Sequence, residues 1–387
     1  MSHERPAEVL AKDVIEWRRD FHAHPELLYE LPRTSGIVAE RLRSFGCDKV
    51  VTGIGRSGVV ASIKGRELDN GRVIGLRADM DALPILEKTG KPYASTTPGM
   101  MHACGHDGHT AMLLGAARQL CNTRNFRGTA VLIFQPAEEG GAGAKAMLDD
   151  GLIERFGVEE IYGLHNMPGL ALGKFGIRPG PIMASADWID IEIIGKGGHA
   201  AKPHQCVDPI AVAGHLITAV QMIAARATSP LDPVVVSLTG IHGGGSYNVI
   251  PETAGLRGTV RTLDPGLRLR VEEHLRSTVT SVAAAFGAEA NLTYRKDYPV
   301  TVNSRVETEH AIEIASEIAG ATGVDRDYPP ELGSEDFAFF LEQIPGAFIF
   351  AGIGETAAHH QPEYDFNDEL IPLGIQYWTR LVEKRLS

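Results

Sequence analysis

Apolar residues recur at helical spacing near the start of the chain. Val14, Ile15, Trp17 and Phe21, with Arg18 among them, follow one period, and Ile37, Val38, Leu42 and Phe45 follow a second after a proline-interrupted turn. Two helices are expected between residues 8 and 45. The texture then shifts to short apolar runs rich in β-branched residues, at 58–63, 72–77 and 129–135, separated by glycines and by a helical stretch at 110–120. Buried strands alternating with helices predict an α/β sheet.

A different pattern begins near Ser185. Residues 188–194, Trp-Ile-Asp-Ile-Glu-Ile-Ile, alternate apolar and polar as a strand with one solvated face does. A long helix at 208–227, strands at 234–239 and 254–262, a helix at 265–286 and a strand at 290–294 follow. That order, βαββαβ, resembles a ferredoxin-like domain. From about residue 302 the helix and buried-strand texture returns, at 307–319, 347–353 and 372–384. The expected architecture is therefore α/β, a mixed-sheet catalytic domain at 1–184 and 300–387 interrupted by a smaller domain at 185–299.

Length and charge narrow the function. At 387 residues the chain is too long for one ordinary core. A formal net charge of -12, with no Lys/Arg-rich run, gives no footprint for a phosphate backbone, so nucleic acid is not an expected partner. The first twenty residues are charged throughout, unlike a signal peptide, and no stretch approaches about 20 consecutive apolar residues. A cytoplasmic protein without a membrane partner is expected. Cys47, Cys104, Cys121 and Cys206 are spaced too widely and irregularly for a disulfide framework and are read as reduced.

Chemistry concentrates in a few places. Residues 101–110, Met-His-Ala-Cys-Gly-His-Asp-Gly-His-Thr, set a thiol and imidazoles two apart just before a helix, a grouping that can hold a transition ion but that capping or solvated histidines can also produce. At 135–141, Gln-Pro-Ala-Glu-Glu-Gly-Gly, an apolar strand delivers adjacent carboxylates into a turn; one could coordinate a metal while the other accepts a proton. His165 and His360 each follow an apolar run. Cys104, His106, Glu139, His165 and His360 together make five donors, too many for one closed tetrahedral site, and two metals sharing a water is the better count.

Several motifs in fixed order extend this reading: residues 21–26, 76–84, 102–110, 135–139, 163–168, 195–204, 247–252, 333–337 and 364–368. With them the chain resembles, over nearly its whole length, the dinuclear-metal amidohydrolase and carboxypeptidase family of hippurate hydrolases, bacterial aminoacylases and plant auxin-conjugate hydrolases. The resemblance implies that Cys104, His106, Glu139, His165 and His360 are metal ligands and that Glu138 is the general base. Spacing to Pro362 and Tyr364 selects His360 over its neighbour His359. Two divalent ions per subunit, manganese, zinc, cobalt or nickel, are implied. So are a dimerisation role for the inserted domain, in a homodimer or tetramer, and substrate and oxyanion contacts from His199 and Asn248. Ser334 falls in a loop that the family places near the substrate. Arg261 is a candidate for the substrate carboxylate on charge alone.

His22-x-His24 resembles a chelate, but Pro25 stops the helix there and the pair is read as scaffold. Arg77, Asp79 and Asp81 are read as structural or ligand-orienting groups. The expected reaction is hydrolysis of the amide of an N-acyl amino acid to a carboxylate and a free amino acid. The alternatives are a metallo-carboxypeptidase or dipeptidase, a thiol hydrolase using Cys104, and a non-catalytic binding protein.

Overall fold

The computed structural model describes residues 6–66 and 71–387, side chains from Leu10 onward. The chain starts with helices α1 (Pro6–Ala23) and α2 (Pro32–Ser44), where the periodicity placed them. Strands β1 (Lys49–Ile54), β2 (Gly58–Lys64) and β3 (Val73–Asp79) lead to helix α3 (His106–Thr123), then to β4 (Thr129–Gln135), β5 (Glu160–Pro168) and the short β6 (Phe175–Gly176). Next come β7 (Asp187–Ile194), α4 (Pro209–Met222), β8 (Val234–Gly243), β9 (Thr253–Thr262), α5 (Pro265–Ala285) and β10 (Glu289–Lys296). The last part holds α6 (Arg305–Ala319), β11 (Val324–Asp325), β12 (Gly346–Gly354) and α7 (Leu370–Arg385).

The chain divides into two compact units. One comprises Met1–Ile182, Val302–Pro329 and Asp336–Ser387; the other comprises Met183–Thr301 and Pro330–Glu335. The larger unit is built on an eight-stranded mixed sheet in the order β1-β2-β4-β3-β5-β12-β6-β11. Its centre, β4-β3-β5-β12, is parallel throughout. These strands are buried along nearly their whole length, which is why they read as continuous apolar runs. Helix α3 is buried on almost every side and packs against α1 and α7, with Met112, Leu113, Leu114 and Leu120 in the same core as Phe21, Leu76, Leu132 and Trp378. It begins at His106, four residues before the expected start, because Gly105 at φ 90° turns the chain into the helix. A Cβ at Gly105 would lie 2.2 Å from the Asn166 amide, so only glycine fits there.

The smaller unit is a four-stranded antiparallel sheet in the order β8-β9-β7-β10, the pairing of a ferredoxin-like βαββαβ fold. Burial alternates residue by residue along β7, as its sequence does. Helices α4 and α5 are capped by Asp208 and Asp264, each with proline following, and bury Leu216, Val220, Val271, Leu275 and Val279 against the sheet. The stretch Pro209–Ala227 is long and apolar enough to cross a membrane by length and composition, yet Val212, Ala213, Leu216 and Val220 supply a core face of this unit.

Candidate metal centre

The carboxyl ends of the parallel strands bring the candidate donors together, the usual place for a site in an α/β sheet. Cys104 lies just before α3 and His106 opens it; Glu138 and Glu139 stand in the turn after β4, His165 is within β5, and His360 follows β12. Ligand atoms of Cys104, His106 and Glu139 lie within 4.8 Å of one another. The Cys104 Sγ is 3.5 Å from His165 Nε2, and His360 Nε2 is 3.3 Å from Glu139 Oε1. All five predicted donors thus form one continuous cluster.

Their orientations are set by groups behind them. The His106 Nδ1 donates to the Asp81 carbonyl at 2.9 Å, and His165 Nδ1 donates to the Asn166 carbonyl at 2.7 Å. In both rings Nε2 is left for the cluster, the arrangement that ligating histidines adopt. Among the described residues His106 Nε2 is buried without a hydrogen-bond partner, and Glu139 Oε1 meets the imidazole of His360. Buried polar atoms are rarely left unpartnered, and an imidazole nitrogen that faces a thiol, a carboxylate and two further imidazoles suits divalent ions.

Asp81 does more than orient His106. Its two carboxylate oxygens accept the backbone N–H of Glu138 at 3.0 Å and of Glu139 at 3.1 Å. Asn166 forms a second hub. Its side-chain amide donates to the Cys104 carbonyl at 2.6 Å, while its oxygen accepts Tyr364 Oη at 2.7 Å and His359 Nε2 at 3.1 Å. His359 Nε2 is therefore taken up by Asn166, with its ring edge-on to His165 at 5.1 Å, while His360 is turned toward Glu139, its backbone at φ 64° in the left-handed region.

His109 lies beside the donors, with Asp79, His106 and His165. Both of its ring nitrogens are engaged: Nδ1 donates to Asp79 at 2.7 Å and Nε2 accepts the Asn166 backbone N–H at 3.0 Å. It supports the centre without offering an atom to it. Asp79 also accepts from Arg77 at 2.6 Å, and Arg77 reaches Gln135 and Asp336, so these residues form the framework the sequence suggested. The same holds for His22, whose Nδ1 meets Asp107 at 2.8 Å.

The field is strongly negative. Burial would lower the pKa of His106, but Asp79, Asp81 and Glu139 push it up to about 10, so the pocket draws a positive charge even onto an imidazole. Burial, then the Glu139, Glu138 and Asp79 carboxylates, holds the Cys104 thiol well above its usual value. A cation is what would release its proton. His165 is kept well below its usual value by burial and by His109 and His359, hence neutral, the form that ligates metal.

The smaller unit holds the other candidates. His199 pairs with Val249 in a two-stranded ladder next to Asn248, whose carbonyl accepts the Ala200 N–H at 3.0 Å. Arg261 donates to Ser334 Oγ at 2.9 Å, so two residues singled out on separate grounds touch. Asp81 has the ligand-orienting place the sequence suggested, while the hub at Asn166 has no such sign: it adjoins His165, but nothing local marks its contacts.

Residues 75–384 match Peptidase family M20/M25/M40. The chain belongs to this family. It is 41% identical over 369 residues to N-acetylcysteine deacetylase of Bacillus subtilis, covering 95% of each chain. It is 40% identical over 370 residues to hippurate hydrolase of Campylobacter jejuni, covering 96% of each. The crystal structure of a dinuclear metal binding peptidase from the M20 family of Bacillus subtilis superposes with a TM-score of 0.87 at 37% identity, covering 98% of each chain. This M20 chain is thus a hydrolase of amide or peptide bonds built on that family's two-unit α/β fold.

Proposed function

We propose that this M20 hydrolase cleaves the amide of N-acyl amino acids, using two divalent ions held by Cys104, His106, Glu139, His165 and His360. The observation that carries the reading is the gathering of these five donors, with His106 Nε2 buried and unpartnered, beside the 7%-exposed Glu138. The names of the relatives support the substrate class: N-acetylcysteine and hippurate, which is benzoylglycine, are both N-acyl amino acids.

When bound, the ions acidify water and polarise the carbonyl. Glu138 takes a proton from the attacking water and passes it to the leaving nitrogen as the C–N bond breaks, so one water is consumed and a carboxylate and an amino acid are released. Asp81 fixes the base and a ligand at once through their backbone. His199 and Asn248 stabilise the oxyanion, and Arg261 with Ser334 receives the substrate carboxylate. The inserted unit forms a homodimer in which His199 serves the partner's metal centre.

A panel of acetyl, benzoyl and longer acyl amino acids beside unblocked dipeptides, assayed with manganese, zinc, cobalt or nickel, tests the reading. Turnover of the acylated compounds at least tenfold above that of the dipeptides is expected. The reverse preference would make the protein a dipeptidase.

A further inference from the structure

Three of the four cysteines take no part in this chemistry, and two of them meet. Cys47, between α2 and β1, has its Sγ 3.6 Å from that of Cys121 in the last turn of α3, across 74 positions of sequence. Both are free thiols. The contact is held by a clamp: Arg124, just past the end of α3, donates to the Gly46 carbonyl and to the Asp48 carboxylate, each at 2.8 Å, gripping the loop on both sides of Cys47. The Cys47 backbone N–H adds a bond to Leu42. The two chain segments are therefore fixed, and a disulfide of about 2.05 Å needs the sulfurs to close by roughly 1.5 Å, within reach of side-chain rotation.

We propose that Cys47 and Cys121 are a redox modification site, forming a reversible disulfide by exchange with a small-molecule disulfide. Cys47 is half-buried and Cys121 buried, which sets the order of events. The Cys47 sulfur attacks the external disulfide, forming a mixed disulfide and releasing one thiolate. Cys121 then attacks the Cys47 sulfur and expels the second. Two protein thiols are oxidised, one external disulfide is reduced, and the two thiol protons leave on the two released thiols. The second step is favoured because the Cys121 sulfur already lies against the Cys47 sulfur and the charge of the clamping Arg124 favours the Cys121 thiolate. Some 15 residues of α3, roughly 22 Å of helix, separate Cys121 from His106, so the site is distinct from the metal centre.

The test treats the metal-loaded full chain with oxidised glutathione, quenches with an alkylating reagent and maps peptides without reduction. A Cys47–Cys121 cross-linked peptide is expected, with both thiols returning on treatment with dithiothreitol. In Cys121→Ser the reaction should stop with glutathione attached at Cys47. In Cys47→Ser, Cys121 should stay alkylatable on denaturation. Wild-type protein in which both cysteines are still alkylated after oxidation, or in which glutathione persists on Cys47, would overturn the proposal, and neither result requires a variant to fold.

Discussion

One carboxylate oxygen of Asp81 accepts the backbone N–H of Glu138 at 3.0 Å. The other holds Glu139, and the Asp81 carbonyl holds His106, so one residue ties the proposed base to two proposed ligands. Asp81→Asn keeps the shape but turns an N–H donor against one of the two backbone N–H groups. The variant should lose both metal affinity and turnover, each by about 10- to 100-fold. Metal titration beside kcat checks this; an unchanged metal affinity would show that the clamp serves the base alone.

Glu138 and Glu139 are adjacent but assigned different tasks. Glu138→Gln should keep its metal and lose turnover by ~100-fold or more, since an amide cannot take the proton. Glu139→Gln should lose metal. Equal metal loss in the two variants, measured by elemental analysis, would reverse or abolish the division.

A similar contrast separates His359 from His360. His359 donates to Asn166, whereas His360 faces Glu139. His360→Gln should bind fewer ions, while His359→Gln, able to donate to Asn166, should keep the full complement.

Much of this was legible in the sequence, for a physical reason. Strands β3, β4 and β5 are buried on both faces and β7 on one, so their apolar patterns differ, and the boundary between sheets shows near Ser185. The candidate donors were legible because thiol, imidazole and carboxylate groups cluster before helix α3 and beyond apolar strands, in the motif order of the family the chain resembles. Strand β1 was missed: it lies at the sheet edge, with only Ile54 buried, and carries no continuous apolar run. Arg18 was read as part of a helical period, but it is 0% exposed and reaches Asp107, Asp365 and Asp368. Pairing across some 350 positions leaves no local trace.

His22 carries a pH signature. Burial would lower its pKa, but hydrogen bonds to Asp107 and Glu87 outweigh burial and the nearby Arg18, and raise it to about 9. Because the folded value is raised, the stabilisation is complete below the unfolded value near 6.5 and is lost as pH rises through about 9, at most roughly 3 kcal/mol. Urea midpoints from pH 6 to 9.5 should fall in wild type and fall less in His22→Gln. Parallel slopes would remove His22 as the cause.

The proposed trans arrangement predicts complementation. His199→Ala and Glu138→Gln should each be nearly inactive, and reassociated heterodimers should regain one intact site. With about half the molecules mixed, recovery should approach about a quarter of wild-type activity per site. Confirmed heterodimers without activity would place His199 in cis.

The central claim is that hydrolysis depends on two ions at this cluster. The most direct measurement is a titration of chelated protein with divalent metal, following bound ions and N-acyl amino acid hydrolysis together. Activity should be absent at the start, return with added metal and level off at about two ions per chain. Full activity in metal-free protein would contradict the account.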